Sequence, residues 1–270
     1  MMSRLVTKKL LTKRSFTPSM LCIRSYHPIA KDFVKPVTIE PLTYTTDSIQ
    51  SKVLDHCLSN NVPKYGFKEK SIVESINQLE LSPSLVSVLG ASNSPSFVHS
   101  SPAVLELIKY HLVTKRHELT KDIPQENIDH NNGLPSLEEL LIKRLQMDIP
   151  VGNQLTDLFA QLSMPSQFLM ETALPELLNL ADDMIYFSNE KDHFDMAWYT
   201  KRLGVAFTYV TSKLFMAQDK SQNFVETMDF AHEKLNNVMK LGDYYNNTEE
   251  FAWYTLMVSV NLIKSQLSRN

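Results

Sequence analysis

The stretch that decides the fold is "DMAWYTKRLGVAFTYVTSKLFMAQ", Asp195–Gln218. It has no proline and repeats its apolar residues at helical spacing, which predicts a long helix over 194–218. At about 100° per residue, Tyr199, Leu203, Ala206, Phe207, Val210, Leu214 and Ala217 form one stripe, suited to the core. A second stripe, about a third of a turn away, holds Trp198, Arg202, Val205, Tyr209 and Met216. Two stripes need two neighbours. The second neighbour is further core, a dimer mate, a ligand or a different protein. Arg202, four residues after Trp198, can lay its guanidinium on the indole, and both residue types are over-represented at interface hot spots.

Working outward, the same spacing predicts helices over 221–241 and 248–267 downstream, and over 136–146, 153–162 and 172–187 upstream. Before these, Ser101 and Pro102 open a helix with Val104, Leu105, Ile108, Leu112 and Val113, ending near Lys115–His117. The polar run "TKDIPQENIDHNNGLP" that follows reads as a mobile loop, here taken as 118–134. Nearer the N-terminus, Asp47 can cap a helix with Ile49, Val53, Leu54 and Leu58 on one face, stopped by "NNVP". A second runs over 68–81 with Ile72, Val73, Ile76 and Leu79 inward. Ser82 caps a third, with Pro83 at its first position and Gly90 at its end. About ten helices and no strand candidate predict an all-α domain. Its longest helices lie at the C-terminal end, where a dimer or a pocket is built.

The first 31 residues differ in kind. Arg4, Lys8, Lys9, Lys13, Arg14, Arg24 and Lys31 precede the first acid, Asp32, with Ser, Thr and Leu between them. That is the composition of a mitochondrial presequence, here 1–26. Pro28, Pro36 and Pro41 mark an extended linker over 27–46. Removal of the presequence shifts the formal charge from −3 to −9 and leaves Cys57 without a partner thiol. Cys57 reads as a buried helix residue and forms no metal site. The six glycines stand alone, so no phosphate cradle of the GxGxxG or GxxxxGK[ST] type can be built.

Three short helices over 47–100, with a tight turn before the third, suggest a helix-turn-helix unit. Yet Ser71–Pro102 contains no Lys or Arg, and a recognition helix needs phosphate contacts. Nucleic acid is therefore not an expected partner, and a DNA-binding regulator is an alternative only. Catalysis has little to stand on. The only Glu-x-x-His spacing of the di-iron type, Glu190 to His193, falls in the polar turn "SNEKDHFD". His111 and His117 fall on a helix, and His232 beside Glu233 reads as a surface pair. No catalytic residue, metal ligand or cofactor is assigned, and an enzyme acting on the bound molecule is the other alternative.

Three blocks carry a resemblance: "ADDMIYF", "DMAWYTKR" and "KLFMAQDKSQNFVETMDF", between Ala181 and Phe230. They resemble the ubiquinone (coenzyme Q) biosynthesis protein family, its ninth member as usually counted. The matching positions are Asp182, Asp183 and Met184; Asp195, Trp198, Tyr199, Thr200 and Arg202; and Met216, Asp219, Ser221, Phe224 and Thr227. The similarity extends loosely over 47–267, and Lys201 departs from the Arg of many relatives. The resemblance implies a fold like that of TetR-type regulators with DNA binding lost, the residues from 101 to 270 serving lipid binding and dimerisation. It further implies binding of isoprenoid quinone intermediates and phospholipid on the matrix side of the inner mitochondrial membrane. Delivery to the di-iron hydroxylase within a larger biosynthetic complex is implied too, with Asp182, Asp183, Trp198, Tyr199 and Arg202 at or near the partner surface.

The last helix carries its own physics. Phe251 to Ile263 is apolar at most positions but rises only about 20 Å at ~1.5 Å per residue, too short for a bilayer core of ~30 Å. It can lie in the membrane interface through Phe251, Trp253, Tyr254, Met257, Val258, Leu262 and Ile263, or pack on its own domain or a dimer mate. The expectation is a peripheral lipid-binding protein whose inter-helix cavity takes an isoprenoid tail.

Overall fold

The computed structural model describes residues 39–91, 93, 101–123, 133–163, 166–190 and 196–240, the side chains of 196–198 excepted. All regular elements among them are helical, as the spacing predicted. In chain order they are α1 (Ile49–His56), α2 (Val62–Tyr65), α3 (Glu69–Gln78), α4 (Leu85–Leu89), α5 (Pro102–Thr120), α6 (Leu137–Gln146), α7 (Leu155–Leu162), α8 (Leu174–Tyr186), α9 (Met196–Met216) and α10 (225–240). The presequence, most of the polar loop after α5, and the predicted helix 248–267 with its membrane residues lie outside the described residues.

Local chemistry explains most boundaries, and corrects several expectations. Ser48, not Asp47, caps α1 by accepting from Ser51 N at 3.1 Å. "NNVP" does not stop the chain. A π-turn over Cys57–Asn61 carries α1 directly into α2, with Pro63 just after it. Proline lacks the N–H that an α-turn needs and its ring crowds the preceding turn; a widened turn accommodates both. The same device recurs where the π-turn Leu169–Ala173 feeds α8 ahead of Pro175. Gly66, at φ +80°, is what ends α2, in the left-handed region where a Cβ is strained. The helix assigned to a Ser82 cap starts at Leu85 after Ser84. Ser136 closes a full capping box with Glu139 on α6.

Two apolar clusters result. One joins Val53, Leu54 and Cys57 to Phe67, Ile72 and Ile76 of the N-terminal helices, and continues into α5 and α7. Val73, expected inward, is exposed at the surface instead, because only positions 72 and 76 of α3 face this cluster. The other packs α6, α8, α9 and α10 together around Leu141, Leu145, Met184, Ile185 and Val205. Helix α5 runs through both, contributing Leu107 and Ile108 to the first and Leu119 to the second.

Helix α9 follows the expected assignment of its stripes only in part: Ala206 is buried and Val210 and Ala217 pack against the core as expected. The stripe read as core leaves Tyr199, Leu203, Phe207 and Leu214 at 56%, 58%, 56% and 42% exposure. Val205, Tyr209 and Met216 of the other stripe are buried, and Arg202 with them. Both stripes are apolar, so the wheel alone could not rank them. Polar residues settle the matter: Ser212 and Lys213 border the inner stripe and are buried, Lys213 satisfied there by Asp148. On the remaining side, Gly204 lets α10 approach so closely that a Cβ would lie 2.5 Å from Val238 Cγ1.

Candidate functional site

A cavity of about 310 Å³ opens between α5, α6, α7, α8 and α9. Leu158, Phe159, Leu162, Leu177 and Leu180 make most of its wall, and the half-exposed Leu174 and Leu214 stand at its mouth. This leucine- and phenylalanine-rich part of the lining suits an apolar ligand, with binding driven by burial at about 25 cal/mol per Å².

One wall is different. Arg144 of α6, Tyr209 and Lys213 of α9 all line the cavity and all converge on the carboxylate of Asp148, which is fully buried. Arg144 Nη1 lies 2.8 Å and Lys213 Nζ 3.0 Å from Asp148 Oδ2, with the Tyr209 hydroxyl at 3.4 Å. His111 Nε2 of α5 stands 3.1 Å from Asp148 Oδ1. Burial alone would push the Asp148 carboxyl up, but Arg144, Lys213 and His111 together hold it well below the usual carboxylate range. Burial also lowers His111 to about 4, against the pull of Asp148, so it is neutral at pH 7. Two cations therefore face one anion in a region closed to water. The Nε of Arg144 is buried and donates to no acceptor among the described residues.

The other charged group in the lining is Glu176, which is turned toward a separate network. Arg116 of α5 reaches Glu176 Oε2 at 2.9 Å and Asp183 Oδ2 at 3.1 Å, tying α5 to α8. Burial raises the Glu176 carboxyl, and Arg116, Asn179 and Lys109 act against it.

The residues marked as partner-facing by resemblance sit around the α8–α9 hairpin. Asp182 accepts from Arg202 Nε at 2.5 Å, so Arg202 is buried against α8 rather than standing at the surface; its expected contact with Trp198 lies outside the described residues. Asp183 faces Arg116. Tyr199 is exposed; the side chain of Trp198 lies outside the described residues. Glu190 pairs with Lys201 at 2.8 Å. His232 joins Glu138 of α6 at 2.6 Å, in place of the expected Glu233.

The third block of the resemblance is a structural turn. Asp219 Oδ1 accepts from Ser221 N at 2.7 Å, while its Oδ2 accepts from Thr227 N at 3.0 Å and from Thr227 Oγ1 at 2.6 Å. Asn223 and Phe224 take left-handed φ values of 55° and 57°, which turns the Phe224 ring into the core beside Gly152. Sequence reasoning missed Arg144, Asp148 and Lys213 altogether. The available signal was three charged residues inside otherwise apolar helical faces, where burial demands that they meet.

Among the described residues, the fold is that of an all-α protein with an internal apolar cavity and a hairpin helix apolar on two sides. This chain belongs to the COQ9 family. The family model matches residues 170–242, which covers α8, α9, the Asp219 turn and α10. The chain is 61% identical to a Saccharomyces cerevisiae protein named "Ubiquinone biosynthesis protein COQ9, mitochondrial", over 91% of this chain and 94% of that one. It is 46% identical to the Eremothecium gossypii protein of the same name, over 92% and 98% of the two chains. A Schizosaccharomyces pombe protein with the corresponding name is 28% identical over 83% and 84%.

Proposed function

We propose that this protein serves mitochondrial ubiquinone biosynthesis as a lipid-binding accessory protein that performs no catalysis of its own. The names of its relatives support the pathway and the compartment, and the acid-free basic segment before Asp32 supports import. Lipid binding is carried by one observation: the leucine- and phenylalanine-walled cavity between α5 and α9. At 310 Å³ it is at the small end of ligand pockets, which span roughly 300–1,000 Å³. It holds a ring and a short apolar arm of an isoprenoid quinone intermediate, and the remaining tail runs out past Leu174 and Leu214.

The exposed stripe of Tyr199, Leu203 and Phe207 supports docking of a partner on α9. In this reading that partner is the di-iron hydroxylase of the pathway, within the larger biosynthetic complex, and the protein delivers the intermediate to it. The helix 248–267 collects ligand from the matrix side of the inner membrane through its apolar face and phospholipid contacts. A homodimer of TetR-like subunits is the assembly that fits this arrangement.

The test is mass spectrometry of lipids extracted from the protein purified from mitochondria, beside a variant that ends at Thr248. Quinone or isoprenoid species held by the first and depleted in the second support the reading. No enriched lipid in either overturns lipid binding, and turnover of a quinone precursor by the protein alone overturns the accessory role.

A further inference from the structure

The charged wall of the cavity has the wrong character for a site that reads only a hydrocarbon tail. Arg144, Tyr209 and Lys213 are 1%, 4% and 3% exposed, deeper than the leucines at the mouth. At Asp148 itself, Arg144 and Lys213 are the cations, Asp148 is the anion they share, and His111 is neutral. Glu176, the carboxylate in the lining, shares Arg116 of α5 with Asp183 and makes no contact with Arg144 or Lys213 among the pairs described. A buried charged donor without an acceptor is costly in a low-dielectric interior unless a ligand supplies one. An Nε–H of the same wall is left without an acceptor, and the residue that carries it lines the cavity.

We propose that this wall is a head-group subsite, and that the cavity takes an amphiphile head-inward, with an anionic oxygen set against Lys213 and the free donor of Arg144. The chemical class is a carboxylate, or an ionised phenol, on an apolar arm. This inference rests on the reading of the cavity as a lipid site, and it adds what holds the head there. Two charged donors on one oxygen-bearing head fix its orientation, which a leucine-lined slot cannot do because burial is non-directional. Tyr209 closes the wall: the Arg144 guanidinium and the Lys213 ammonium both lie 5.4 Å from its ring centroid, so the aromatic face holds the two cations in place. The arm then lies along Leu158, Phe159, Leu162 and Leu177 toward the mouth.

The experiment is calorimetric titration of the full chain, delipidated, at pH 8 with two matched probe pairs. The first is decanoate and decanol; the second is 4-hexylbenzoate and its methyl ester. The subsite predicts that the acid of at least one pair binds ten-fold or more tightly than its neutral partner. A preference confined to the benzoate pair marks a ring head, and one confined to decanoate marks an acyl head. In Lys213→Met the preference falls below three-fold. Equal binding of acid and neutral probe by the unmodified protein overturns the subsite and leaves lipid binding intact. Binding of none of the four overturns the subsite together with the cavity reading. The wild-type comparison decides the matter even where Lys213→Met does not fold. In a folded variant, an undiminished preference also overturns the assignment.

Discussion

Asp148 is the residue whose loss costs most. It takes no apolar contact of its own weight, but it balances Arg144 and Lys213 where water does not reach. Asp148→Asn leaves two buried cations uncompensated and is expected to lower stability by about 3–5 kcal/mol in urea unfolding. His111 beside it makes stability depend on pH. Burial lowers its folded value to about 4, so below its ordinary 6.5 the unfolded chain takes a proton that the folded chain refuses. The His111 contribution to stability is expected to be flat above pH 6.5 and to fall between 6.5 and 4, by roughly 1.4 kcal/mol per pH unit at most. His111→Gln is expected to flatten that slope, as unfolding curves at pH 5 and pH 7 would show. Asp219 works in the other direction along the chain. Slight burial raises it, but the donors of Thr227 and Ser221 outweigh that and hold it below its ordinary value of 3.8. Its contribution is therefore present above pH 4 and lost as the carboxyl is protonated. Asp219→Ala is expected to cost about 1–2 kcal/mol, the range of a lost helix cap.

Among the elements, α9 separates packing from surface most clearly. Its inner face meets α8, and Gly204 meets Val238 of α10 at a separation that admits no side chain. Gly204→Val overpacks that contact and is expected to cost about 1–3 kcal/mol. Leu203, one residue away, stands at 58% exposure. Leu203→Glu is expected to change stability by less than about 0.5 kcal/mol, while weakening capture of the hydroxylase or of a second copy in co-purification. An unfolded Leu203→Glu would restore the core reading of that stripe. These two neighbouring substitutions show why helical periodicity stops short. A wheel reports that α9 has two apolar sides and cannot report which side α8 will cover. The π-turns illustrate a second limit. Pro63 reads as a stop, yet one added residue in the turn absorbs it inside a continuous helix, as happens ahead of Pro175.

For the whole molecule, the two apolar clusters share α5, so the N-terminal helices are bound into the same body as the cavity. Cys57 reports on that body. It is fully buried in the first cluster, and burial pushes its thiol up to about 11, against a hydrogen bond involving Ser75. Its alkylation at pH 8, followed by peptide mass spectrometry, is expected to proceed no faster than unfolding of the N-terminal cluster, since neither exposure nor thiolate is present in the folded state. Fast labelling would show that the N-terminal helices open independently of α5.

The sequence by itself determined the helical class, most helix spans within a few residues, the buried Cys57, and membership in a family through the blocks around Asp182, Trp198 and Asp219. These are local properties: backbone propensity, apolar spacing and capping residues act over a few positions, and a linear reading captures them. The tertiary structure alone decided which stripe of α9 is buried, that Arg202 turns to Asp182, and that His111, Arg144, Asp148 and Lys213 converge on one wall of a cavity. Those residues come from α5, α6, the turn after it and α9, up to about a hundred positions apart. Their meeting depends on how the helices pack, and that packing is set by the burial of all their apolar faces together.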